Sequence, residues 1–216
     1  IFSSTAAVYG NVGGEPVSES APANPVSPYG RSKLITEWML EDCARAHDFR
    51  FIALRYFNVA GADPLGRSGQ STPNATHLIK VAVQTALGQR PEMNIFGTDY
   101  ETPDGSCIRD YIHVTDLASA HVDALRHLRE GGESMILNCG YGRGFSVIEV
   151  VDVVRKVTGI AFKANHVARR PGDPASIIAN SDRIRAVLGW KPRHDDLDEI
   201  VRQAYLWENK LAGRNG

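Results

Sequence analysis

The chain has 216 residues, 43% of them hydrophobic and 23% charged, with 24 basic residues balanced by 25 acidic ones. That balance excludes a strongly basic nucleic-acid or anionic-membrane surface, and no apolar run reaches the ~20 residues that span a bilayer. Its cysteines, Cys43, Cys107 and Cys139, are too scattered for a zinc site, a CxxC redox pair or a disulfide framework, which points to a reducing cytosol and to no bound metal.

The chain opens on Ile1-Phe2-Ser3-Ser4, which reads as the inside of a strand, and the prolines of Ala21-Pro22-Ala23-Asn24-Pro25 mark a loop. Tyr29 to His47 is predicted helical, with Leu34, Ile35, Trp38 and Met39 as its apolar stripe. Phe49 to Asn58 suits a buried strand. The Gly-, Pro- and Ser-rich stretch Gly61 to Pro73 is longer than most loops, which marks it as functional or mobile. A second helix covers Thr76 to Leu87 and closes on Gly88, and a third covers Val114 to Arg129. Met135 to Cys139 reads as a short buried strand. Ser146 and Glu149 form a capping box that opens a helix to about Thr158, closed by Gly159. Ser181 and Leu197 head two further helices, the last amphipathic through Ile200, Ala204 and Leu206-Trp207. Alternating strands and helices argue for an α/β fold with a mainly parallel sheet.

The chemistry centres on Tyr29-Gly30-Arg31-Ser32-Lys33, with Ser4-Thr5 at the preceding strand end. A phenol and an ammonium four residues apart share one helix face. A nearby positive charge favours the phenolate, turning a poor base into one able to take a hydroxyl proton. Thr5 would relay that proton. This is apparatus for moving hydride and proton between a nicotinamide cofactor and an alcohol or ketone.

Three runs carry a family resemblance: Phe2-Ser3-Ser4-Thr5-Ala6-Ala7-Val8-Tyr9-Gly10, Ser27-Pro28-Tyr29-Gly30-Arg31-Ser32-Lys33 and Leu54-Arg55-Tyr56-Phe57-Asn58-Val59-Ala60-Gly61. With Ile95-Phe96-Gly97-Thr98-Asp99-Tyr100, Thr102 to Val114 and Arg169-Arg170-Pro171-Gly172-Asp173, they make the whole chain similar to the extended short-chain dehydrogenase/reductase family. The resemblance implies the C-terminal part of a Rossmann-type doubly wound parallel sheet plus a smaller mixed α/β substrate domain. Residues 1–62 would belong to the NAD-binding domain, with 108–145 returning to it, and 63–216 mainly to the nucleotide-sugar domain. The implied reaction is reversible C4 epimerisation of UDP-glucose and UDP-galactose through a 4-keto sugar, with tightly held NAD and a homodimeric protein. By the same resemblance Thr5, Tyr29 and Lys33 are catalytic, and Ser3, Ser4, Tyr29, Lys33 and Tyr56 contact the cofactor. The UDP-sugar would meet Thr5, Tyr29, Asn58, Thr76, His77, Leu78, Asn94, Ile95, Phe96, Arg109, Arg170, Asp173 and Ile177. Arg109 and Arg170 would take the diphosphate, because a guanidinium fork matches phosphate oxygens. Asp173 would take the uridine ribose.

Ala6 and Ala7 stand where related dehydratases carry an acid and a base, so elimination of water is disfavoured. Family members begin with a Gly-rich strand–helix turn that holds the cofactor diphosphate. None occurs here, so the chain reads as a fragment beginning inside that domain; Gly140-x-Gly142-x-Gly144 reads as a loop. Ile177 falls at the pocket-wall position that sorts N-acetylated from plain sugars, and its intermediate bulk leaves that choice open. Arg169 reads as a surface charge, His113 as a structural hydrogen-bonding residue, and the tryptophans as packing. Two alternatives stay open: another NAD-dependent sugar-nucleotide epimerase or oxidoreductase, and a cofactor-less uridine-nucleotide binding fragment.

Overall fold

The computed structural model describes residues 1–13 and 15–215, with the side chains of 214 and 215 left aside. A parallel sheet is built from β1 (Phe2–Thr5), β2 (Ile52–Tyr56) and β6 (Met135–Cys139) in the order β1-β2-β6. The central strand, Ile-Ala-Leu-Arg-Tyr, is buried along nearly its whole length, as a strand covered on both faces must be. Register puts Thr5 beside Tyr56 and Tyr56 beside Cys139, so the C-terminal ends of the strands align. In open α/β sheets, that is the edge where ligands sit.

Only Phe57 separates β2 from β3 (Asn58–Ala60), which leaves the first sheet and pairs in parallel with β5 (Ile108–His113). β5 also pairs with β7 (Gly144–Ser146) and β9 (Ser176–Ile177), while β4 (Met93–Phe96) and β8 (Ala164–Val167) form a separate parallel pair. Residues 108–113 therefore join the second sheet and 135–139 the first. One continuous core links the two, from Ile52, Leu54 and Leu137 to Ile79, Val83 and Met93.

The helices are α1 (Pro28–Ala46), α2 (Leu78–Ala86), α3 (Val114–Arg129), α4 (Val147–Thr158), α5 (Asp182–Leu188) and α6 (Leu197–Asn215). α1 is started by Ser27, whose Oγ accepts the Gly30 amide, with Pro28 in its first turn. The capping box of α4 forms as its residues predict, and Gly159 closes the helix at φ +69°. The strand predicted over Phe49 to Asn58 is shorter, and Phe49 is exposed. The larger correction concerns α1. Of its stripe only Leu34 is buried, while Ile35, Trp38 and Met39 are 51–61% exposed.

The long segment 61–73 is pinned rather than free. Gly69 lies against the Trp207 ring so closely that a Cβ would approach it to 2.5 Å. The Gln70 carbonyl accepts from Lys80 Nζ, itself ion-paired with buried Glu208. Gly140 and Gly142 do form a loop: it wraps buried Asp110, whose carboxylate accepts the amides of Tyr141, Gly142 and Ala179.

His113 is fully buried and structural, its Nδ1 accepting the Thr115 amide at the start of α3 and its Nε2 facing Gln203 Oε1 at 2.6 Å. Burial holds its pKa below the ordinary histidine value, the bond to Gln203 opposing. The unfolded chain takes up this proton near pH 6.5, the folded chain only at lower pH. Stability from His113 is therefore full above about pH 6.5 and declines as the pH falls through that window. The urea midpoint is expected to drop between pH 7.5 and 5.5, and the drop to shrink in His113→Asn. An undiminished drop would assign it to other groups.

Candidate active site

Two adjoining clefts open beside the C-terminal edge of the first sheet. One, of about 350 Å³, is lined by Thr5, Ala7, Tyr56, Asn58, Arg109, Arg170, Asp173 and Ile177 among others. The other, of about 420 Å³, is lined by Thr76, His77, Leu78, Asn94, Phe96, Arg109, Arg170 and Asp173 among others. Asn58, Arg109, Arg170 and Asp173 border both. The two are lobes of a single groove, with its arginines at the junction.

The junction is built from distant segments. Arg109 comes from β5, where its Nη1 donates to the Ile108 carbonyl at 2.8 Å and its Nη2 lies 3.7 Å from Asp173. Arg170 stacks its guanidinium 3.6 Å from the centroid of Phe96. Stacking fixes the plane of the fork and leaves its edge N–H groups to an anion. Arg169, by contrast, turns outward to pair with Asp99 and lie over Tyr100, as a surface charge does.

At the other end, Thr5 lines the groove and caps the short turn Ala6–Val8 by accepting the Ala7 amide at 3.2 Å. Tyr29 is half exposed beside this lobe, and Lys33 Nζ sits 5.8 Å from its ring centroid. Lys33 also donates to the Ser3 carbonyl at 2.9 Å. Tyr56 lines the same lobe; burial first, then repulsion from a charge on Tyr29, raises its pKa against a bond to Ser3, so it stays a neutral donor.

Of the expected contacts, Ser3, Ser4, Tyr29, Lys33 and Ile95 are not among the residues that line the two lobes. Ile95 alternates with Asn94 and Phe96 along β4 and points into the core. Ser4 is fully buried and its hydroxyl donates to Glu37. Ser3 is only partly buried, with its hydroxyl 2.9 Å from His121 Nε2. The motifs of the sequence give no sign of Arg90 and Glu92, which also line the second lobe, as does Cys107 from the run Thr102 to Val114. Arg90 carries no local signal; its place is set by bonds to Gln84 and the Ala75 carbonyl. Among the described residues, no group of three or more His, Cys, Asp or Glu could hold a metal ion, and no helix is long and apolar enough to cross a membrane.

Known proteins share this arrangement. The UDP-glucose 4-epimerase of Azospirillum brasilense is 62% identical over 211 residues, 98% of this chain and 61% of that protein. The crystal structure of UDP-glucose 4-epimerase from Stenotrophomonas maltophila with bound NAD and formylated UDP-arabinopyranose matches with a TM-score of 0.94 at 41% identity, over 99% of this chain and 64% of that one. The Brucella ovis UDP-glucose 4-epimerase in complex with NAD matches with a TM-score of 0.91 at 46% identity, over 95% of this chain and 63% of that one. The chain thus spans less than two thirds of the length of these relatives, and the fold it shares with them is Rossmann-like α/β. The pattern of the NAD dependent epimerase/dehydratase family matches residues 1–140, from β1 through β6, and the chain belongs to that family.

Proposed function

We propose that the protein of which this chain is the catalytic and substrate-holding part interconverts UDP-glucose and UDP-galactose by inverting C4. The observation that carries this reading is the shared junction: Asn58, Arg109, Arg170 and Asp173 border both lobes, so a diphosphate held there extends its sugar toward Thr5 and its nucleoside toward Asn94 and Phe96. Arg109 and Arg170 grip the diphosphate, and Asp173 accepts from the uridine ribose. Thr76, His77 and Leu78 close the outer lobe, and Ile177 forms part of the wall of the sugar lobe.

The residues present fit the nicotinamide end of NAD. The Lys33 ammonium spends one of its three donors on the Ser3 carbonyl and keeps the others for a ribose diol, with the Tyr29 ring centroid 5.8 Å away. Bound there, NAD supplies the acceptor and donor for the C4 hydride. Tyr29 takes the C4 hydroxyl proton and returns it, Thr5 orients that hydroxyl, and Lys33 holds the positive charge that favours the transfer. Ala6 and Ala7 form the turn after Thr5 and bring no acid or base, so the chemistry stops at proton and hydride exchange.

Ile35, Trp38 and Met39 of α1 stand exposed as an apolar set on one helix, suited to pairing with a second copy. In this reading the protein is a cytoplasmic homodimer. The experiment is conversion of UDP-galactose to UDP-glucose by the protein extended to its natural start, with no NAD added. Conversion is expected. A folded, NAD-loaded protein that converts neither sugar would overturn the reading.

A further inference from the structure

α1 carries Tyr29 and Lys33, yet it is thinly docked. Of its 19 residues only Gly30, Leu34 and Glu37 are buried. That is a packing stripe whose third member is a carboxylate where an apolar side chain would ordinarily sit. Glu37 is fully buried; it accepts from Ser4 Oγ of β1 and from Arg55 of β2, whose Nε lies 3.0 Å from Oε1 and whose Nη2 lies 2.5 Å from Oε2. Arg55 is 5% exposed, and the Tyr9 ring lies 4.8 Å from its guanidinium.

A buried ion pair recovers little net stability over well-packed apolar residues, so stability does not account for its presence. It supplies direction. A carboxylate held by a hydroxyl on one strand and a guanidinium on the next cannot slide or rotate without breaking a charge-assisted bond. The anchored residues adjoin the working ones: Ser4 lies between Ser3, whose carbonyl holds Lys33, and Thr5, while Arg55 precedes Tyr56.

We propose that Glu37, with Arg55, is the positioning residue of the proton-transfer apparatus, fixing α1 on β1 and β2 so that Tyr29 and Lys33 face Thr5. The inference rests on the roles given above to Tyr29, Lys33 and Thr5. Its test uses the NAD-loaded, full-length protein with both partners replaced together, Glu37→Leu/Arg55→Met, so that no buried charge is stranded.

The variant is expected to melt close to the unaltered protein and to keep its KM for UDP-galactose. Its kcat is expected to fall roughly 100-fold, as a displacement of about 1 Å can produce. Amide exchange over residues 28–37 is expected to quicken. A wild-type kcat, or a loss confined to KM, would overturn the proposal. If the double variant does not fold, Glu37→Asp decides: the shorter carboxylate keeps its charge but cannot reach both partners, and an unchanged kcat there overturns the proposal equally. If the unaltered protein converts no UDP-hexose, the reading of the reaction has failed instead. The amide exchange of α1 then tests Glu37 by itself: faster exchange in the variant supports the anchoring role, and unchanged exchange overturns it.

Discussion

Replacing Tyr29 with phenylalanine is expected to lower UDP-galactose turnover by roughly 100- to 10,000-fold, the range of a positioned proton donor and acceptor. UDP affinity should stay nearly unchanged. Tyr29 is half exposed, so the substitution removes a hydroxyl and little packing. Turnover measured beside UDP titration calorimetry separates the effects. Near-normal turnover would remove Tyr29 from the chemistry, whereas a parallel loss of UDP binding would show that it helps hold the nucleotide.

Arg109→Ala should do the reverse. Arg109 is largely buried, with a side chain 13% exposed and Asp173 3.7 Å away. Its removal takes a cation from the proposed diphosphate position and leaves the Asp173 carboxylate facing the same anion. Truncating one member of such a pair costs about 2 kcal/mol or more, near thirtyfold in UDP affinity. Arg109→Lys should recover only part, because an ammonium cannot bind two phosphate oxygens as a fork does. Calorimetry checks both variants, and an Arg109→Ala protein that binds UDP normally would place the diphosphate elsewhere.

What could be read from the chain alone follows a physical division. Caps are local chemistry, so Ser146 with Glu149, and Gly159 after them, announce α4 without any partner. α3 and β6 fall where their patterns place them. β9 has two residues and β7 three, and such strands exist only because β5 lies alongside. Nothing local could mark them. The α1 stripe misleads for another reason: apolar spacing gives a face, and the same spacing serves a core or an outward surface. Here it is outward, while the Glu37 carboxylate faces in.

The same division runs through the site. Most motif residues expected to meet the UDP-sugar line one groove, because their runs end at one sheet edge or at the arginine junction. Ile95 is left out of it, since adjacent strand residues face opposite ways and a motif cannot serve whole. Arg90 is invisible in the sequence because its position depends on Gln84 and Ala75, contacts that exist only after folding.

Two walls of one lobe, Thr5 and Ile177, lie far apart in the sequence, and the patch of Ala6, Val8, Tyr9 and Val17 behind Thr5 is covered by Ile177 and Ala179. At about 5–20 residues per second, a ribosome delivers those two walls roughly 10–30 s apart. Throughout that interval the nascent chain shows an uncovered apolar surface beside its future active site. Completion of this patch thus waits on residues 177–179.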